Sequence, residues 1–189
     1  MERVLVFFVE GDSEILFYQK IINYLKERHE KSFPKVELIG LKGIGNFKSK
    51  AVSRFKNYIL PKYKHYQFVV FLAYDTDVFE FCVNPPINWS IVESELRSAG
   101  AKQVIHLRAE KMIEDWFIVD TKSICESLDI KVPKKIYGDT GLEKIKTLFK
   151  KANKIYQKGF SAKIFIDHLN ISLIYKTKKI EFDKIINNL

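Results

Sequence analysis

The chain is poor in what would hold a fold together other than a buried core. It has two cysteines, Cys82 and Cys125, far apart and outside any Cys-x-x-Cys spacing. That excludes a disulfide framework or a cysteine zinc site and fits a reducing cytoplasm. Its four histidines, His29, His65, His106 and His168, show no metal-ligand spacing, although His106 falls near a strand end close to the site considered below. No Gly-Lys-Ser/Thr occurs, so there is no Walker motif. Long apolar runs are missing too. Met1 to Val9 is too short for a signal peptide or a membrane span, and Glu10 interrupts it. Acidic residues are the minority, 23 against 32 lysines and arginines. The net charge of +9 favours an anionic partner, nucleic acid first.

What is present is apolar and aromatic. A hydrophobic share of 47%, with fifteen Phe and nine Tyr, excludes general disorder and suits one domain with a modest appendage. There is no internal repeat and no low-complexity tract. Up to about residue 120, strand and helix patterns alternate. Arg3–Val9 reads as a strand, and a helix follows from Ser13 to about Glu30, with Asp12 as its N-cap and Ile15, Leu16, Ile22 and Leu25 inward. Val36–Leu41 is a strand. Lys48–Ile59 is a helix ended by Pro61, and Phe68–Tyr74 is the third strand. Past the irregular Pro85-Pro86 loop come a helix at Ile87–Ser98, closed by Gly100, and a strand at Lys102–Leu107. This order predicts right-handed crossovers and a mainly parallel sheet of about four strands. Helices are expected at Glu110–Val119, Thr121–Leu128, Leu142–Tyr156 and Ser161–Leu169. The expected division is therefore an α/β domain over residues 1–120, with a lysine-rich helical extension over 121–189 packed on it.

Two strands end in acids. Val4-Leu5-Val6-Phe7-Phe8 runs into Val9-Glu10-Gly11-Asp12-Ser13-Glu14, and Phe68 to Tyr74 runs into Asp75-Thr76-Asp77. In open α/β sheets ligands bind beyond the C-terminal strand ends. Each pair of like charges there costs about 4 kcal/mol at ~4 Å and an effective dielectric of ~20. A divalent cation would offset that, and oxygen-only ligands point to Mg2+ or Mn2+. Asp75 and Asp77 alternate, so an extended segment puts both on one side, where one cation can bridge them. Turn chemistry is the competing reading of this pair, and a solvated strand end that of Glu10.

Glu-Gly after the first strand and Asp-x-Asp after a later one, about sixty residues apart, resemble the TOPRIM domain of topoisomerases, primases and small nucleases. The form Val9-Glu10-Gly11-x-Ser13-Glu14 is more similar to OLD-type nucleases and their stand-alone relatives in phage-defence systems. The resemblance covers roughly the first 120 residues. It implies a TOPRIM-like Rossmannoid three-layer sandwich and a metal-dependent nuclease acting on DNA or RNA. Glu10 would be a metal ligand or general acid/base, Asp75 and Asp77 ligands, and Glu14 a further one. Ile113-Glu114-Asp115-Trp116-Phe117 is similar to a run in OLD-like nucleases whose Glu helps hold a second metal. That points to Glu114, with Glu110 one helical turn earlier as a substitute. Basic residues of related nucleases imply that Lys158 and Lys163 also reach the site to offset transition-state charge, with Lys163 the expected catalytic lysine.

Lys144, Lys150, Lys151, Lys154 and Lys158 belong to a lysine-rich tract with few acids, read as a phosphate-tracking surface. On the helix from Leu142 the apolar stripe is Leu142, Ile145, Leu148, Phe149 and Ala152. Lys42 and Lys48 flank Gly43-Ile44-Gly45-Asn46, whose backbone N–H groups suit a phosphate at a helix start. OLD-type nucleases carry an ATPase domain; lacking a Walker motif, this chain would need a separate ATPase partner. The rival expectation is thus a non-catalytic Mg-binding, nucleic-acid-binding or effector subunit. A receiver- or phosphatase-like domain is disfavoured, because it wants a nucleophilic Asp where Glu10 stands.

Overall fold

In a computed structural model, which describes residues 2–29, 33–77, 79 and 87–189, four strands form one all-parallel sheet. They are β1 (Arg3–Val9), β2 (Lys35–Gly40), β3 (Gln67–Asp75) and β4 (Ala101–Ala109), in the order β2-β1-β3-β4. The two runs without polar alternation, β1 and β3, are the central strands, as burial on both faces requires. Their register sets Val9 beside Ala73, so both acid-bearing ends emerge at the same edge.

Alternation along each strand splits the core into two layers. Val4, Val6 and Phe8 of β1, with Phe68, Val70 and Leu72 of β3, meet α2 (residues 44–62) and α3 (Trp89–Ser98). Leu5, Phe7 and Val9, with Val69, Phe71 and Ala73, meet α1 (Asp12–Arg28) and the C-terminal helices. The protein is therefore a three-layer α/β fold of Rossmann-like kind. The C-terminal elements are α4 (Glu114–Phe117), α5 (Thr121–Ser127), α6 (Gly141–Lys151), α7 (Ile171–Thr177) and α8 (Lys179–Ile186). Trp116, Phe149, Phe165, Ile174 and Phe182 lie in the same core cluster as Phe7 and Phe71, so these helices complete the sheet's second layer.

Several local expectations need correction. Gly11, not Asp12, is the N-cap of α1; its extended backbone (φ −142°, ψ −171°) turns the chain between Glu10 and the helix. On α1, Phe17, Tyr18 and Ile21 join Ile22 and Leu25 inside, while Leu16 is exposed. Pro61 does not end α2 at Ile59 but sits in its last turn, Leu60–Lys62. A π-helical stretch at Phe55–Ile59 precedes it, shifting the backbone pairing enough to accommodate a residue with no N–H. Glu110 is not helical: β4 continues to Ala109, Lys111 turns with φ 62°, and α4 begins at Glu114. The helix from Leu142 stops at Lys151, where Asn153 takes φ 54°. Ser161 to Leu169 forms two 3-10 turns, and α7 and α8 were not expected from the sequence. Glu30, Cys82 and the Pro85-Pro86 loop fall outside the described residues. No described helix is long and apolar enough to cross a membrane.

Candidate functional site

The carboxyl edge of β1 and β3 gathers four acids. Asp75, the last residue of β3, is 1% exposed. Its Oδ1 accepts the Ile113 N–H at 2.8 Å and its Oδ2 accepts Lys158 Nζ at 2.7 Å. The next turn is tied down as well. Thr76 N–H donates to the carbonyls of Ala109 and Lys111, Asp77 N–H to that of Lys111, and Thr76 Oγ1 accepts the Lys111 N–H. These bonds lock the end of β3 to the end of β4 and deliver Glu114 beside Asp75.

Glu10 follows β1 directly. Its carboxylate accepts the backbone N–H groups of Asp75 and Ile44, and its Oε2 is buried without a hydrogen bond. Glu14, in the first turn of α1, is 5% exposed. A Cβ on Gly11 would stand 3.1 Å from Glu14 Oε2, so the bare glycine lets that side chain fold back over the turn. Glu114 is fully buried; its Oε1 accepts Tyr156 Oη at 3.0 Å, and its Oε2 has no hydrogen bond but lies 3.8 Å from Lys158 Nζ. Asp77 is half-buried, and its charge is felt at Glu10.

Burial and mutual repulsion set the electrostatics. Burial lifts Glu14 to about 8, with the Asp75 and Glu10 charges adding to it. Burial also lifts Asp75 to about 7, against the pull of Lys158. Glu10 is raised by burial and by Asp77, opposed by Lys158 and the two backbone donors. Burial alone would lower Lys158, but Asp75 and Glu114 outweigh it and hold its proton more tightly than usual. Tyr156 is raised by burial and by Glu114. An open cleft of about 310 Å³, lined by Glu10, Glu14, Lys42, Lys158 and Gly159 among others, leads to these groups. Larger clefts of about 520 and 430 Å³ lie elsewhere, the first against the outer face of α1 and the second beside Arg108 and Glu181. Neither gathers several buried acids, so the chemistry favours the smaller one.

Among the described residues, no three His, Cys, Asp or Glu stand in ready metal-ligand geometry. An ammonium group lies among the acids instead. The donor set still suits a hard cation: all oxygen, buried, with free oxygens on Glu10 and Glu114.

The expected lysines divide. Lys158 enters the site; Lys163 does not, its ammonium lying 3.9 Å from the Phe160 ring centroid. Lys42 lines the cleft and Lys48 is exposed on α2. The loop between them does not offer its first N–H groups to phosphate, because Gly43 donates to the Glu10 carbonyl and Ile44 to the Glu10 carboxylate. Lys144 lines a separate groove with Val132 and Pro133, whereas Lys150, Lys151 and Lys154 are exposed around the end of α6. Glu110 faces the Arg108 cleft, away from the acids. His106 bonds Tyr74 Oη and Glu93, on the sheet face opposite Asp75. Sequence reasoning missed Tyr156. Extending the helix to it hid the loop from Asn153 to Ser161, where the Lys158-Gly159 pair was the available signal.

The chain matches no protein-family model, no curated protein and no solved structure.

Proposed function

We propose that the chain is a metal-dependent nuclease with a TOPRIM-like domain, of the kind found in phage-defence systems, hydrolysing phosphodiester bonds of DNA or RNA with Mg2+ or Mn2+. One observation carries the reading: Glu10, Glu14, Asp75 and Glu114 gather at the C-terminal edge of a parallel sheet, with buried oxygens left unsatisfied. Buried carboxylates are costly unless paired, and a divalent cation is the partner that four of them suit. Glu10, Asp75 and Glu114 would hold it, with Glu14 and Asp77 beside them. Bound there, it supplies Lewis-acid polarisation of a phosphate and a more acidic water.

The chain's own groups do the rest. The N–H groups of Ile113, Asp75 and Ile44 fix the Asp75 and Glu10 carboxylates in place. Lys158, which lines the cleft, offers a positive charge to phosphate oxygens, and Lys42 offers another from just beyond the end of β2. Exposed Lys48, Lys150, Lys151 and Lys154 give a phosphate backbone further points of contact.

The test is incubation with plasmid, single-stranded DNA and total RNA, in Mn2+ or Mg2+ and in chelator. Cleavage of at least one substrate, lost in chelator, is expected; cleavage of none under any metal would refute the enzyme. A second reading draws on the ammonium already placed among the acids. On that reading the chain is a non-catalytic effector or nucleic-acid-binding subunit working with a separate ATPase, and the same samples would show retention of nucleic acid without cleavage.

A further inference from the structure

Lys158 is placed unlike the other lysines. Its ammonium is 2.7 Å from Asp75 Oδ2 and 3.8 Å from Glu114 Oε2, and it is also within electrostatic reach of Glu10 and Glu14. One positive charge is thus shared by four carboxylates, and two buried oxygens remain unsatisfied beside it. The exposures are lopsided: the Asp75 and Glu114 side chains are 2% and 0% exposed, but that of Lys158 is 41% exposed. The acids are built into the core, whereas the lysine reaches them from the solvent side.

Its backbone is arranged accordingly. Lys158 lies in a closed turn in which Ser161 N–H donates to the Gln157 carbonyl and Gln157 N–H to Ser161 Oγ. Gly159, at φ +82°, has open space where a Cβ would be, so no neighbouring element wedges the turn from that side. The flanking Ile155 and Phe160 are exposed. Withdrawing the ammonium therefore needs only rotation of a flexible, unbranched side chain, with no repacking of the core.

We propose that Lys158 is an exchangeable internal cation: it occupies the carboxylates while no divalent ion is bound, is expelled when one enters, and is then free to meet the substrate's phosphate. The proposal rests on the reading of the acid edge as a divalent-cation site. The physical reason is exclusion. An ammonium and a divalent ion cannot share the same few oxygens without strong like-charge repulsion, and the ion offers twice the charge to the same acids. Lysine suits the part better than arginine, being a compact charge on a flexible stem rather than a bidentate fork. Linkage follows, because an anion that binds the freed ammonium must tighten the hold on the metal by the same factor that the metal tightens the hold on the anion.

The test is Mn2+ binding without nucleic acid, followed by calorimetry, for wild type, Lys158→Met, Lys158→Arg and Glu10→Gln. Removing the competitor should tighten Mn2+ binding by Lys158→Met at least tenfold. Lys158→Arg should stay within a few-fold of wild type, and Glu10→Gln should weaken it. Equal or weaker binding by Lys158→Met, with wild type binding normally, overturns the exchange and leaves the metal site standing. Mn2+ binding by neither protein overturns both. A second measurement needs no variant: acetylation of Lys158 in the wild-type protein, read by mass spectrometry, should rise when Mn2+ is added. Labelling unchanged by metal overturns the proposal even if Lys158→Met fails to fold.

Discussion

At the scale of single residues, Glu14 and Asp75 set how the site responds to pH. Their folded values, about 8 and about 7, lie above the ordinary 4.5 and 3.8. Between roughly pH 4 and 8 the unfolded chain therefore releases protons that the folded chain keeps. Their contribution to stability is fully present below the unfolded values, declines as pH rises through that window and is flat above it. His106 runs the other way: burial lowers its value, which favours the folded state as pH rises. The contrast with Glu14→Gln isolates the acid. In chelator, the thermal midpoint of this variant relative to wild type should rise between pH 5 and pH 8, and an unchanged difference would show that Glu14 is ionised throughout. Glu10, Glu14 and Asp75 were legible in the sequence because each is fixed by a strand or helix end a few residues away. Glu114 was legible only through a resemblance. Lys158, like Lys163, was named for the site only through the resemblance, and nothing local separated the two, since the Lys158 contact with Asp75 spans 83 positions and depends on where the whole C-terminal layer packs.

At the scale of elements, the start of α6 positions Glu114. Gly141 packs so closely on the start of α4 that a Cβ there would fall 2.4 Å from the Glu114 carbonyl oxygen and 2.5 Å from the Asp115 nitrogen. Asp115 Oδ1 accepts the Gly141 N–H at 2.6 Å, and Thr140 with Glu143 forms a capping box at the same end. Because only backbone faces the added methyl, Gly141→Ala should cost at least about 1–3 kcal/mol by denaturant midpoint. Gly45→Ala, with open space around its Cβ, should cost less than about 1 kcal/mol. Equal midpoints for the two variants would contradict this packing. The strands and α1 were legible because apolar runs and 3.6-residue stripes are local signals. The end of α6 was not, because Asn153 turns left-handed inside a sequence that continues to read as helix. Pro61 misled for a related reason: its effect depends on the π-helical stretch before it, which no composition announces.

At the scale of the whole molecule, the all-parallel order β2-β1-β3-β4 brings the two acid-tipped strands side by side in the centre. The alternation of patterns made the parallel sheet legible, but the adjacency of β1 and β3 is a property of the topology. The lysine-rich C-terminal part is amphipathic in a productive sense: Ile145, Leu148 and Phe149 complete the core over the sheet, and Lys150 and Lys151 remain outside with most of their charge in water. A chain of net charge +9 nevertheless buries Glu14, Asp75 and Glu114 near one sheet edge, while Lys48, Lys150, Lys151 and Lys154 stay on the surface. The measurement that tests this account most directly is Mn2+-dependent cleavage by wild type, Glu10→Gln and Asp75→Asn, with thermal midpoints taken on the same samples in chelator. Both variants should lose cleavage by a factor of a hundred or more, at midpoints equal to or above wild type, since each removes a carboxylate whose charge is costly to bury and, for Asp75, that cost outweighs the Lys158 ion pair. Cleavage at the wild-type rate in either folded variant would contradict the assignment of the site.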